Sequence, residues 1–334
     1  MTVERRLRKL ITGLTVPQEY CCLGIENFLH PLSVFLTSVK FDHQFDVTAS
    51  HVFLGYKPLI IGITFSIDGE TYKIFKDQSH VCLSFGEDNF ERNGQWRGLP
   101  SDKNNLAKLL LLKTDVKIAS SRVILFYEGQ HGQHSFLNAV HQFVNRQRRK
   151  LLKDAPNNVA LPGNLVDQVR IAYAVPRLVS IVTTSSGSLI NMFPTDLHGT
   201  WGEDLYISSL RIGGLATQQV EDHRSIVISD VDLSSYKETY NLGKNHMATL
   251  RDEAHFSVSS QRSEVFNYPL PVKVLRYREL KQLSSFDHGI HRIHLYEIVN
   301  KKTINEKGVT LAHIHQYYAQ WRINQGLPTQ LYYR

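Results

Sequence analysis

Val179-Ser-Ile-Val-Thr-Thr-Ser-Ser-Gly-Ser-Leu-Ile-Asn-Met-Phe-Pro-Thr195 sets two apolar, β-branched runs on either side of a polar centre. Branched side chains suit a pleated, half-buried surface, and a Ser/Gly centre suits a tight turn. Pro194 interrupts the second run because proline has no N–H for a ladder. The stretch therefore predicts a strand, a polar hairpin and an irregular returning strand. Similar short runs follow outward from it, at 168–173, 205–210, 225–229, 272–278 and 291–299, with 178–184 overlapping its start. Upstream, 32–38, 58–65 and 122–127 read the same way. Short strands this frequent favour a barrel or sandwich over a parallel sheet. Helical spacing predicts helices over about 135–153, about 234–246 and near 311–324, the last with Leu311, Ile314, Tyr318 and Trp321 on one face. The fold class is α+β, mostly β.

The strongest linker signal is 154–164, Asp-Ala-Pro-Asn-Asn-Val-Ala-Leu-Pro-Gly-Asn. It divides the chain into a domain at 1–153 and a domain at 165–334. A faint internal echo crosses that division: Pro31-Leu-Ser-Val-Phe-Leu-Thr37 resembles Pro176-Arg-Leu-Val-Ser-Ile-Val-Thr183. So short a match leaves a duplicated barrel and two unrelated strand-rich halves both open.

Composition narrows the classes. With 334 residues, 42% hydrophobic and 10% aromatic, the chain can bury two cores. No uncharged apolar run is long enough to span a bilayer. The basic start (Arg5, Arg6, Arg8, Lys9) precedes too short an apolar stretch for a signal peptide. Three cysteines, two of them adjacent, offer no disulfide framework or zinc spacing, so a reducing cytoplasm is expected. Net charge is +7. Its densest cluster (Arg146, Arg148, Arg149, Lys150, Lys153) ends a predicted helix, where cations suit the dipole. It reads as a solvated face, with neither nucleic acid nor membrane as partner. Sixteen histidines invite a metal reading. His291 and His294 fall on opposite faces of a strand, and His313 and His315 would diverge on a helix, so no metal site is expected. Cys82 reads as core. Trp201 fits either a ring cover or a surface aromatic, and His246 either a helix end or a residue that approaches a bound ligand.

Four stretches of the second half could carry chemistry: 183–195, 208–219, 240–246 and 287–297. In Ser208-Ser-Leu-Arg-Ile-Gly-Gly-Leu-Ala-Thr-Gln-Gln219, two hydroxyls and a guanidinium precede paired glycines and a third hydroxyl. A phosphate wants short donors, close backbone approach and a bidentate cation. The same residues also fit a strand that ends in a glycine turn beside an exposed arginine.

These stretches, in this order, resemble the flavin reductase-like family of FMN-binding split β-barrels, over roughly 165–334. Asn191-Met192-Phe193-Pro194-Thr195 is similar to the segment that lays backbone amides along the flavin. Ser208, Ser209 and Arg211, with Gly213, Gly214, Thr217 and Gln218, resemble the phosphate strand and turn. His291-Arg-Ile-His-Leu-Tyr-Glu-Ile298 resembles the family's late strand. The chain departs from the pattern at Pro194, at the turn Asp196–Gly199 and at Tyr296. The resemblance implies bound FMN, NAD(P)H as hydride donor, and His291 beside the ring as the catalytic position that orients the nicotinamide. Hydride transfer between stacked rings needs no protein acid or base. It further implies a flavin reductase acting as a homodimer, or as a pseudo-dimer within one chain if the halves are duplicates. The first half would then be a degenerate second barrel copy lacking the arginine–hydroxyl cluster. Two other readings stay open: a flavin binder or sensor without turnover, and a structural protein without flavin.

Overall fold

The computed structural model describes residues 3–38, 44–86, 105–151 and 159–333. Helix α1 (Val3–Thr12) leads into β1 (Tyr20–Gly24), and β2 (Ser33–Ser38), β3 (Gln44–Asp46), β4 (His51–Tyr56) and β5 (Leu59–Ser66) follow. After a short helix α2 (Glu70–Phe75) come β6 (His80–Gly86) and two long strands, β7 (Asn105–Ala119) and β8 (Arg122–His134). Seven of these strands form one antiparallel sheet, in the order β3-β2-β6-β7-β8-β5-β4. Helices α3 (Ala139–Leu151) and α4 (Leu165–Ala172) then lead to the second half. Of the linker expected at 154–164, residues 154–158 lie outside the described residues, as does Lys153.

The hairpin that opened the sequence reading forms as β10 (Ser180–Ser186) and β11 (Leu189–Thr195), just after the two-residue β9 (Arg177–Leu178). Then come β12 (His198–Thr200), β13 (Leu205–Arg211), helix α5 (Leu215–His223) and β14 (Ser225–Val231). Helix α6 (Tyr236–Asn241) and three short strands, β15 (Arg251–Asp252), β16 (Val258–Arg262) and β17 (Pro269–Pro271), precede the long pair β18 (Val274–His288) and β19 (His291–Thr303). Strand β20 (Leu311–His315) and helix α7 (Gln316–Asn324) finish the series. The second large sheet runs β12-β13-β19-β18-β14-β10-β11-β15.

Laid side by side, the sheets repeat. The series β4-β5-β8-β7-β6-β2-β3 and β12-β13-β19-β18-β14-β10-β11 match strand for strand, with α2 and α5 at the same step. The faint echo at Pro31 and Pro176 therefore marks a duplicated topology, in which β2 corresponds to β10. The copies meet through the same three strands of each. Val52, Leu54, Ile60, Ile124 and Phe126 pack with Trp201, Ile207, Ile293 and Leu295 in one buried cluster. A self-complementary contact of this kind is what two-fold symmetry produces between identical subunits.

Packing also crosses the expected boundary. Strand β1 pairs with β20, which pairs with β9. From beyond residue 164, Val169, Ile171, Tyr317 and Tyr318 join the core of the amino-terminal sheet.

Several expectations need correction. The run 168–173 is helix α4, not a strand. The helix is buried on nearly every side, and an apolar run that short does not separate a buried helix from a strand. The Arg170–Asp167 hydrogen bond (2.9 Å), three residues apart, belongs to a helix. The helix expected near 311–324 begins only at Gln316, because β1 offers Leu311–His315 a ladder. His313 and His315 therefore share a strand face. Between 233 and 247 the chain is helical but broken, α6 being flanked by two 3-10 turns. Trp201 is neither a ring cover nor a surface aromatic: it is 1% exposed, within the cluster between the copies. Cys82 is half-buried.

Candidate functional site

At the end of β13 the chain must leave the sheet and enter α5 within three residues. Gly213 makes this possible at φ +86°, where a side chain would be strained. A Cβ built there would meet nothing within 4 Å, so this turn is open. Thr217 Oγ1 donates to the Arg211 carbonyl (2.6 Å), tying the first turn of α5 back to β13. The N-terminus of α5 thus faces a cavity of about 680 Å³ lined by Tyr56, Asp196, Leu197, Ser209, Lys244 and His291, among others. That volume is ordinary for a small-molecule pocket. Free N–H groups and the dipole at a helix start favour an anion.

His291 opens β19 directly opposite Arg211. The Tyr56 amide donates to its Nε2 (3.4 Å), which leaves the proton on Nδ1. Nδ1 is buried without a partner among the described residues. Burial, then the nearby Arg211 charge, lower its pKa to about 4, so the imidazole is neutral at pH 7. Tyr56 belongs to the other copy. Its ring meets His291 edge-on at 4.6 Å, and its hydroxyl hydrogen-bonds the Arg211 guanidinium.

The turn carrying Tyr56 rests against Gly289, at φ +59°. A Cβ on Gly289 would lie 2.5 Å from the Lys57 carbonyl oxygen, which already accepts from the Ile290 amide at 3.1 Å. Gly289→Ala is therefore expected to cost about 1–3 kcal/mol through backbone strain, measured by urea unfolding. A neutral result would remove the close approach of the two turns.

Of the residues singled out in the sequence, Pro194, Thr195, Ser209, Arg211, Gly213, Gly214, Thr217 and His291 come together at the cavity. Ser209 Oγ is buried there without a partner among the described residues. Asn191, Met192 and Phe193 do not line it. Asn191 Nδ2 donates to Gln219 (2.8 Å) and to the Asn245 carbonyl (3.0 Å), while Met192 and Phe193 are core. Ser208 Oγ donates to the Tyr296 hydroxyl (3.3 Å), behind the wall. Gln218 lines a neighbouring hollow with Glu221 and Arg292.

Sequence reasoning missed Tyr56 and Met247 as cavity residues, since nothing local connects them to β13; Lys244 lies in the stretch 240–246 that it had singled out. Asp196 stands out in the sequence only as a departure, and His246, read as a helix end or a ligand approach, lines the cavity. His246 Nε2 donates to the Pro194 carbonyl (2.9 Å), with its pKa lowered chiefly by burial. Asp196 Oδ2 accepts from the Tyr173 hydroxyl and from His313 Nε2, both at 2.7 Å. Burial would raise its pKa, but the hydrogen bond and charge of His313, with Tyr173, outweigh that and hold it below the usual carboxylate value. The cavity thus combines two cations, Arg211 and Lys244, with one carboxylate already engaged.

No family model and no curated protein matches the chain. Solved structures do, over about half of it. An FMN-binding protein from Thermus thermophilus with bound p-hydroxybenzaldehyde is 15% identical over 48% of this chain and 90% of that one, with a TM-score of 0.38. The NADH:FAD oxidoreductase SgcE6 of Streptomyces globisporus C-1027 is 14% identical over 49% and 96%, with a TM-score of 0.41. BorF, the flavin reductase component of a bacterial two-component tryptophan halogenase, is 14% identical over 45% and 92%, with a TM-score of 0.40. Each likeness spans about half of this chain and nearly all of the solved one.

Proposed function

We propose that the cavity binds FMN, with the phosphate at the Arg211–Gly213–Gly214 turn and the start of α5, and that the chain is an NAD(P)H-dependent flavin reductase. One observation carries the reading: a guanidinium, an open glycine turn, a helix N-terminus and the unpartnered, buried Ser209 hydroxyl meet at one cavity wall. A buried hydroxyl without a partner is costly, and a phosphate oxygen would satisfy it. Leu197, Leu210, Ala216 and Met247 supply apolar surface for a ring system.

Bound flavin supplies the redox chemistry, taking a hydride from a nicotinamide. The chain's own part is to bind and orient. Arg211 and the α5 amides neutralise the ester, and Tyr56 holds His291 with its Nδ1 proton available to a ligand. Neutral His291 donates without adding charge, which suits a positioning role and not proton transfer. His291 is accordingly assigned to orienting the nicotinamide.

Arg211→Ala is expected to weaken FMN binding by about 1–3 kcal/mol, the range for one charge-assisted hydrogen bond. That is roughly 5- to 150-fold in Kd, read by titration of flavin fluorescence. Unchanged affinity would remove the phosphate assignment. Rapid loss of the visible flavin band on mixing with NADH or NADPH supports the reductase. Bound flavin that stays oxidised with both would leave a binder without turnover, the reading favoured by the carboxylate of Asp196 standing in the cavity wall.

A further inference from the structure

The repeated topology gives the cavity a counterpart in the first copy, and the hydrogen bonds align the two residue by residue. In the second copy Arg211, the last residue of β13, lies opposite His291, the first of β19. Beyond it Ile212 N–H donates to Ile290 O (2.9 Å), Gly214 N–H to Arg211 O (3.3 Å) and Gln218 N–H to Gly214 O (3.4 Å). In the first copy Ser66, the last residue of β5, lies opposite Arg122, the first of β8. Beyond it Ile67 N–H donates to Ser121 O (2.9 Å), Gly69 N–H to Ser66 O (3.0 Å) and Lys73 N–H to Gly69 O (3.2 Å). In both copies the same three bonds link the residue after the strand end, the glycine of the turn and the first turn of the helix to equivalent acceptors. Ser66, Asp68, Glu70 and Arg122 therefore stand where Arg211, Gly213, Leu215 and His291 stand in the other copy.

The exchange reverses the electrostatics. The guanidinium at the strand end has become a hydroxyl. The open glycine has become Asp68, and the first residue of the following helix has become Glu70. Carboxylates at a helix start occupy the field that would draw in an anion and repel a second negative charge. Tyr72, at the position of Thr217, packs its ring towards Phe65 (6.4 Å). The hollow beside Arg122, about 610 Å³, is lined by Glu203, Asp204 and Glu297, three carboxylates against one guanidinium.

We infer that the chain holds one anionic ligand, not two: the first copy has lost its anion site and contributes Tyr56 to the site of the second. This rests on the flavin reading for the ligand's identity, but not for the asymmetry. Hydrogen exchange on the whole chain, with and without FMN, tests it together with equilibrium dialysis. One FMN per chain is expected, with slowed exchange at 211–218 and none at 66–73. Arg211→Ala should weaken that binding 5- to 150-fold, and Glu70→Ala should leave it unchanged. Two FMN per chain, or slowed exchange at 66–73, overturns the inference. Should FMN not bind at all, the flavin reading falls, and inorganic pyrophosphate becomes the probe. Slowing at 211–218 alone then sustains a single anion site, whereas slowing at both turns, or at neither, overturns it.

Discussion

Trp201→Ala is expected to destabilise the protein by about 3–5 kcal/mol, the usual range for truncating a buried large aromatic. Trp201 is 1% exposed and shares a cluster with Val52, Ile60, Ile124 and Phe126 of the opposite sheet. The neighbouring contact is equally close, since a Cβ on Gly199 would lie 2.9 Å from Val52 Cγ2. The void would open between two sheets, each held by its own ladders, so little collapse should offset it. The loss should also reach the cavity, because the same contact carries Tyr56 to His291. Urea unfolding reads the first effect and FMN titration the second. A loss below about 1 kcal/mol would show that the copies do not depend on this contact, contrary to the cost expected of an uncollapsed void.

Asp230→Ala should cost a comparable amount. Its carboxylate is fully buried and accepts from Ser180 Oγ (2.5 Å), Arg276 Nε (2.6 Å) and Arg278 Nη1 (3.3 Å). Removing one partner of a buried ion pair costs about 3–5 kcal/mol. Arg276 and Arg278 both reach water, which places the expected value at the lower end. The wild type has a related pH dependence. Burial works to raise the Asp230 pKa, but the Arg278 charge and the hydrogen bonds from Ser180 and Arg276 outweigh it, and the folded pKa is lowered. A lowered folded pKa contributes stability that is present above the unfolded value of about 4 and lost as pH falls through the folded value. Acid unfolding below about pH 4 should therefore be steeper in wild type than in the alanine variant. Equal slopes would show that the carboxylate titrates alike in both states.

What the sequence disclosed follows from the range of the interactions. Strands such as β10 and β13 are buried on both faces, yet they were legible because their β-branched apolar runs and the turn residues beside them are local signals. Arg211, Ser209, Gly213 and Thr217 were legible for the same reason, lying within nine residues of one another. Tyr56 was not: it reaches His291 only through the packing of two sheets, and no spacing encodes that. Asn191 illustrates the opposite case. Its motif suggested a ligand contact, yet its amide holds Gln219 of α5 and the Asn245 carbonyl of the 3-10 turn after α6. Helix α4 and strand β20 were misread because each is too short for spacing to separate a helix from a strand, and the partner that makes β20 a strand, β1, lies at the other end of the chain.

The joining of both sheets on one chain also bears on how the protein behaves on dilution. Two separate subunits sharing such a contact would part at low concentration, and any ligand held with help from both would go with them. Here the second subunit is tethered, and its effective concentration is fixed by the covalent link. Ligand affinity should accordingly stay constant however little protein is in the tube.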